Sequence, residues 1–249
     1  GLTDLPENRV ACVQDEDGAI FIFHLSEGRI ERRIPFGDPG DYEGLTAHSG
    51  IFHVLRSDGV LFEVRDDGRT VSEHPLDLPT RDNEGLAFDA RRNRLLVAPK
   101  SRPGKGKEFR ATRVVFAVDP ATRIRSAEPV MEIDLNDVAA FADAHGIDVP
   151  QKKGKKAKKQ KRRTLLRFLP SSLSVNPVTD EVFILSAIDR VLLSFDQDGR
   201  VTGYAALSPR LFPQPEGITF TASGDMLIAS EAAGREPVLL LFKRQSDAM

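Results

Sequence analysis

Short apolar runs alternate with acidic-glycine turns along this chain. Ala19-Ile20-Phe21-Ile22-Phe23, Val60-Leu61-Phe62-Glu63-Val64, Val191-Leu192-Leu193-Ser194-Phe195 and Val238-Leu239-Leu240-Leu241-Phe242 are rich in β-branched and aromatic residues, which suit a pleated, half-buried surface. Between such runs stand Asp17-Gly18, Asp58-Gly59, Asp67-Gly68, Asp198-Gly199 and Ser223-Gly224. Pairs of this kind supply the positive φ that tight hairpins need. The pattern predicts antiparallel β-structure nearly throughout. One stretch, residues 137–145, has helical character, with Asn136 as its N-cap and Gly146 as its stop.

A short phrase opens each set of strands: Glu43-Gly44-Leu45, Glu84-Gly85-Leu86 and Glu216-Gly217-Ile218, with Pro170-Ser171-Ser172-Leu173 as a variant and Gly1-Leu2-Thr3 as a truncated copy. Glu43 to Glu84 is 41 residues, Ser172 to Glu216 is 44, and Glu84 to Ser172 is 88. A period of this size marks a propeller or a solenoid, and regular short strands with little helix mean an all-β array, of which a β-propeller is the expected form. The chain therefore reads as one all-β propeller domain over residues 1–249. Five blades are expected, with six as the alternative, because the 88-residue gap holds either a degenerate blade or an insertion. Its contents favour an insertion over residues 134–164, a short helix followed by a lysine-rich loop. The last repeat ends at its third strand, so a fourth strand would precede Gly1.

In a hairpin the start of one strand lies beside the end of the next. That geometry places Glu43 by Arg56, Glu84 by Lys100, Ser172 by Ser186 and Glu216 by Glu231, with Asp15 or Glu16 from the first repeat nearby. Because the first strand of each propeller blade lines the channel, these residues converge on one rim. Glu43, Arg56, Glu84, Lys100, Ser172, Glu216 and Glu231 are the candidate ligand-binding set. Glu216, Glu231 and Glu16 are the candidate cation ligands, since clustered carboxylates hold a hard cation such as Ca²⁺ or share a proton. A structural reading stands beside these: a glutamate repeated in blade after blade accepts hydrogen bonds and fastens neighbours together.

Charge is unevenly spread. Residues 152–163, opening at Lys152 and closing at Arg163, carry nine basic residues and no acid. Without them the chain holds 26 basic against 37 acidic residues. An acidic body repels phosphates and disfavours nucleic acid, while the loop suits contact with an anionic surface; a mobile, solvated loop is the plainer reading. One cysteine, Cys12, excludes an internal disulfide framework and a cysteine-rich metal site. The five histidines lack zinc-ligand spacing, no Gly-x-Ser-x-Gly elbow occurs, and the acidic turns lack the closing glutamate of an EF-hand.

The Glu-Gly-Leu openings, Pro170-Ser171-Ser172-Leu173-Ser174-Val175-Asn176-Pro177, and Pro215-Glu216-Gly217-Ile218 followed by Met226-Leu227-Ile228-Ala229-Ser230-Glu231 resemble the SdiA-regulated protein family of bacteria. The resemblance implies a β-propeller of no established activity, often exported to the periplasm or anchored in the envelope. The expectation is a monomeric binding or scaffold protein that presents its channel rim to a small ligand, a cation or a protein partner. The alternative is a calcium-dependent hydrolase with an acidic channel site.

Overall fold

The computed structural model describes residues 1–80, 82–149, 166–231, 234 and 236–245. Among these described residues nineteen strands form five antiparallel sheets, each ordered as its strands occur in the chain. The first blade is β1 (Leu2–Leu5), β2 (Arg9–Cys12), β3 (Ala19–His24) and β4 (Arg29–Pro35). The second is β5 (Tyr42–His48), β6 (Ile51–Arg56), β7 (Val60–Arg65) and β8 (Thr70–Pro75). The third is β9 (Asn83–Asp89), β10 (Arg94–Pro99), β11 (Thr112–Val118) and β12 (Met131–Asp134). The fourth is β13 (Ser172–Val175), β14 (Val182–Ser186), β15 (Val191–Phe195) and β16 (Val201–Ala206). The fifth is β17 (Gln214–Phe220), β18 (Met226–Glu231) and β19 (Val238–Phe242).

The inner strands close a ring. β1 packs on β5, β5 on β9, β9 on β13, β13 on β17, and β17 returns to β1. The propeller thus has five blades, not six. The third blade is complete before the insertion begins, so the 88 residues between Glu84 and Ser172 hold one blade and one insertion.

Each seam between blades has its own apolar core. Ile20, Ile34, Leu45, Val54 and Phe62 join blades one and two. Leu55, Leu61, Leu86, Leu95 and Val97 join two and three. The largest group joins three and four and takes in the insertion through Leu135, Val138, Ala142, Leu166 and Phe168. Leu185, Leu192, Ile218 and Phe220 join four and five. Among the described residues the seam that closes the ring is the smallest, with Leu2, Val10 and Leu227 as its buried members.

The recurring glycine has a packing cause. A Cβ on Gly44 would meet the Leu86 Cβ at 2.5 Å, one on Gly85 would meet the Leu173 Cδ2 at 2.6 Å, and one on Gly217 would meet the Leu2 Cβ at 3.0 Å. The leucine of each opening phrase therefore sits on the glycine of the preceding blade. A repeated hydrogen bond follows: the Phe88 amide donates to Thr46 Oγ1 (3.2 Å), and the Asp4 amide to Thr219 Oγ1 (3.1 Å). At the hairpins, Gly59 and Gly199 take φ of +93° and +83°, the left-handed region that glycine enters without strain.

The helix α1 (Leu135–Ala144) follows β12 directly. Its N-cap is Asp134, not Asn136; the Asp134 carboxylate accepts from the Asn136 amide at 2.8 Å. The two positions differ by two residues because β12 runs straight into the helix. Gly146, at φ +68°, ends it as expected. The lysine-rich run lies outside the described residues. Among the described residues no helix is long and apolar enough to cross a membrane.

Candidate binding site at the channel mouth

Three glutamates occupy one structural position. In β5, Tyr42 pairs with Arg56 and Gly44 with Leu55, which leaves Glu43 unpaired between them. In β9, Asn83 pairs with Pro99 and Gly85 with Ala98, which leaves out Glu84. In β17, Pro215 pairs with Ser230 and Gly217 with Ala229, which leaves out Glu216. Each is the extra residue of a β-bulge at the entry of an inner strand, a device that re-aims a side chain. The bulges bring the three carboxylates within electrostatic reach of one another, with the Glu231 carboxylate beside Glu216.

Burial and mutual repulsion favour the protonated forms here. Glu43 is pushed up to about 8, first by burial and then by the Glu84 carboxylate. Glu84 rises to about 7 through burial, although the Lys100 ammonium against it acts in the opposite sense. Glu231 rises to about 7 through burial and the Glu216 carboxylate. The Gln214 amide bridges that last pair, donating from one Nε2 to Glu216 Oε1 (2.8 Å) and Glu231 Oε2 (3.1 Å).

Two of the four expected neighbour pairs form. Lys100 Nζ binds Glu84 Oε1, and Glu216 meets Glu231. Arg56 does not reach Glu43. Its guanidinium binds the Asp58 carboxylate in bidentate fashion (2.9 Å twice) and lies over the Phe62 ring at 5.2 Å. In register, Arg56 stands one residue beyond the partner of Gly44, whereas Lys100 and Glu231 stand two beyond theirs. A one-residue offset turns a strand's side chain to the other face. Ser57 holds the place equivalent to Lys100, with its hydroxyl on the Asp41 carboxylate.

Ser172 is likewise displaced by one. It pairs with Leu185 as Gly44 pairs with Leu55, so it fills the glycine position, and its Oγ accepts from the Ile218 amide at 3.3 Å. Ser171 takes the place of the glutamates. Its Oγ donates to the Pro215 carbonyl (2.9 Å) and accepts from the Ala187 amide (3.1 Å). In this blade the position is therefore a fastener between neighbours, while in three others it carries the carboxyl group of Glu43, Glu84 or Glu216. Ser186, expected beside Ser172, instead accepts from the Leu169 amide at 3.1 Å.

Glu16 is exposed, and its backbone carbonyl accepts from the Gly40 amide at 3.2 Å. The first-blade carboxylate that acts on Glu231 is Asp15. Among the described residues no three His, Cys, Asp or Glu side chains stand close enough to enclose a metal ion. Gln214 and Ser171 were not foreseen from sequence. Aligning the repeats on their leucines, rather than on their polar residues, would have found Ser171.

The family model match decides the family. Residues 4–234 match the SdiA-regulated family. The chain belongs to the SdiA-regulated family. Nothing among curated proteins matches it. Of solved structures, a Bacteroides caccae protein of unknown function is 13% identical over 97% of this chain and 71% of its own, with a TM-score of 0.51. A Bacteroides thetaiotaomicron protein of unknown function is 11% identical over 92% of this chain and 51% of its own, with a TM-score of 0.52. At these identities the likeness of this SdiA-regulated chain to both is one of fold alone.

Proposed function

We propose that this propeller is a binding protein whose channel mouth receives the positively charged group of a ligand. One observation carries the reading: bulges in three different blades deliver Glu43, Glu84 and Glu216 to the same rim, with Glu231 beside them and the Lys100 ammonium paired to Glu84. Glu43, Glu84 and Glu231, raised first by burial and then by neighbouring carboxylates, are poised to exchange a proton for a cation, because an incoming positive charge favours their ionised forms. The group is an organic ammonium held by charge-assisted hydrogen bonds, or a divalent ion such as Ca²⁺ that would have to draw the carboxylates closer together than they stand here to gain its oxygen ligands.

The test is thermal denaturation at pH 8 with millimolar CaCl₂ in one arm and a primary diamine, putrescine, in the other. A ligand at a hundred times its Kd raises stability by about 2.7 kcal/mol. Stabilisation in either arm that disappears in Glu216→Gln supports the reading and identifies which cation the rim takes. No shift in either arm, or an equal shift in Glu216→Gln, overturns it. A binding-linked release of protons, seen as affinity that rises from pH 6 to pH 8, is expected as well.

A further inference from the structure

Phe168 adopts φ +40° while its side chain is wholly buried. A bulky aromatic in the left-handed region is held there by its surroundings and not by its own preference. Two side chains do the holding. The Asp189 carboxylate accepts from the Phe168 amide at 2.7 Å and from the Arg167 amide at 3.4 Å. From the opposite side Arg113, itself 2% exposed, donates Nε to the Phe168 carbonyl at 2.5 Å and Nη2 to the Arg167 carbonyl.

Arg113 is unusual in its partners. Among the described residues its hydrogen bonds all go to backbone carbonyls, the third being that of Thr112 at 2.7 Å. Burial and the nearby Arg102 guanidinium depress it to about 10. A fully buried guanidinium is costly to desolvate, and packing alone does not require one: Leu166 and Phe168 already join the apolar core on α1 and β15.

Downstream the contacts form an unbroken series toward the channel. The Leu169 amide donates to Ser186 Oγ (3.1 Å), whose hydroxyl faces Asp189 Oδ2 at 3.3 Å. Ser171 Oγ then bridges the Ala187 amide and the Pro215 carbonyl, and Pro215 directly precedes the bulged Glu216. Ser172 Oγ takes the Ile218 amide on the far side of that bulge. The segment that leaves the insertion is thereby tied to the one inner strand that carries two members of the rim, Gln214 and Glu216.

We propose that residues 166–171 form a strained strap that transmits the position of the insertion to the Glu216 side of the channel mouth. Arg113 and Asp189 are its positioning residues. When either hold is released, Phe168 leaves its left-handed conformation, and the contacts of Ser171 and Ser172 with the fifth blade loosen in step. The strap links two structural regions, and its test needs no ligand, so it stands or falls apart from the cation reading.

Amide hydrogen exchange on the whole chain tests it, with Asp189→Ala and Arg113→Met each compared with the parent. Exchange should rise about tenfold at Phe168 and Leu169 and also at Ala187 and Ile218, with the amides of β2 and β6 unchanged. Asp189→Asn, which keeps one acceptor, should give an intermediate effect and serves should the alanine variant fail to fold. Faster exchange confined to Phe168 and Leu169 would overturn the coupling. An equal rise at every amide would overturn it too, since that would make the segment ordinary core.

Discussion

The Lys100 ammonium rests on the Glu84 carboxylate, across a hairpin and 16 residues along the chain. Glu84 is 95% shielded, its side chain being 5% exposed, whereas that of Lys100 is 36% exposed. The pair thus couples a buried acid to a partly wetted base at the channel mouth. Lys100→Met removes the counter-charge and leaves Glu84 to ionise unaided in a dry site. With the exposure of Lys100 discounting the full cost of a broken buried pair, the variant should lose about 1–3 kcal/mol in urea denaturation at pH 8. The loss should shrink at pH 5, where Glu84 takes a proton. A loss that is the same at both pH values would disprove the coupling.

The channel carboxylates set an alkaline limit on stability. Glu43 near 8, and Glu84 and Glu231 near 7, all lie above the ordinary glutamate value of 4.5. A folded pKa raised above the unfolded one contributes stability that is complete below the unfolded value and is lost as pH rises through the folded one. These three therefore weaken the fold progressively as pH climbs from 4.5 to about 8, and the loss levels off above that. Asp58, Glu63 and Asp180 are lowered by hydrogen-bonded arginines, after an opposing burial contribution in Glu63, and their contribution is lost as pH falls below the carboxylate range. His53, lowered to about 4 by burial, acts on the same acid side. Melting temperature should peak at about pH 4.5–5, because above that range the three raised glutamates outweigh the single histidine. Glu43→Gln should flatten the alkaline limb, and a limb left unchanged by that substitution would rule this assignment out.

The packing of leucine on glycine predicts a steric cost. Gly85→Ala would drive its Cβ to 2.6 Å from the Leu173 Cδ2 and 2.9 Å from the Ala98 Cβ. Both neighbours are buried, so the Leu173 side chain must repack and β9 must shift against Ala98 of β10. Overpacking of this kind costs about 1–3 kcal/mol. Chemical denaturation of Gly85→Ala reads the loss directly. Gly28→Ala, whose added Cβ meets nothing within 4 Å, provides a control for strain alone, since Gly28 sits at φ +64°. An equal loss in both variants would remove the packing explanation.

Away from the channel, Arg123 of the third blade reaches Glu63 of the second through two hydrogen bonds, Nε to Oε1 at 3.0 Å and Nη2 to Oε2 at 2.6 Å. Ser72 Oγ donates to the same carboxylate at 2.8 Å, and His53 Nδ1, without a hydrogen-bond partner among the described residues, lies 4.0 Å from it. Arg123→Ala should destabilise by about 2–3 kcal/mol because Glu63 stays buried with its charge. It should also raise the His53 pKa, since Arg123 opposes the protonation that Glu63 favours. The histidine ring resonances over a pH titration report that shift; an unmoved His53 would show that the cluster is not electrostatically linked.

Much of this architecture was readable from the chain before any coordinate. β15 and β19 begin and end where their apolar runs do, and the period from Glu43 to Glu84 is one blade. The pairing of Glu84 with Lys100 followed from hairpin geometry alone. These are local properties: strand period, turn chemistry and repeat spacing act over a few residues or one hairpin. The sequence likewise placed Glu43, Glu84 and Glu216 at equivalent places in three blades, because an identical phrase folds in an identical way.

What required the tertiary structure was phase and company. A bulge inserts one residue, and nothing in the local pattern of Tyr42, Glu43 and Gly44 says whether Arg56 or Ser57 ends up facing the channel. The same single-residue ambiguity moved the polar role from Ser172 to Ser171. The raised proton affinity of the channel glutamates arises only when strands distant in sequence close a ring and bring like charges into a dry space. Hydrophobic period records which face of a strand is buried; the sum of fields from four other blades is written nowhere in that period, and folding alone assembles it.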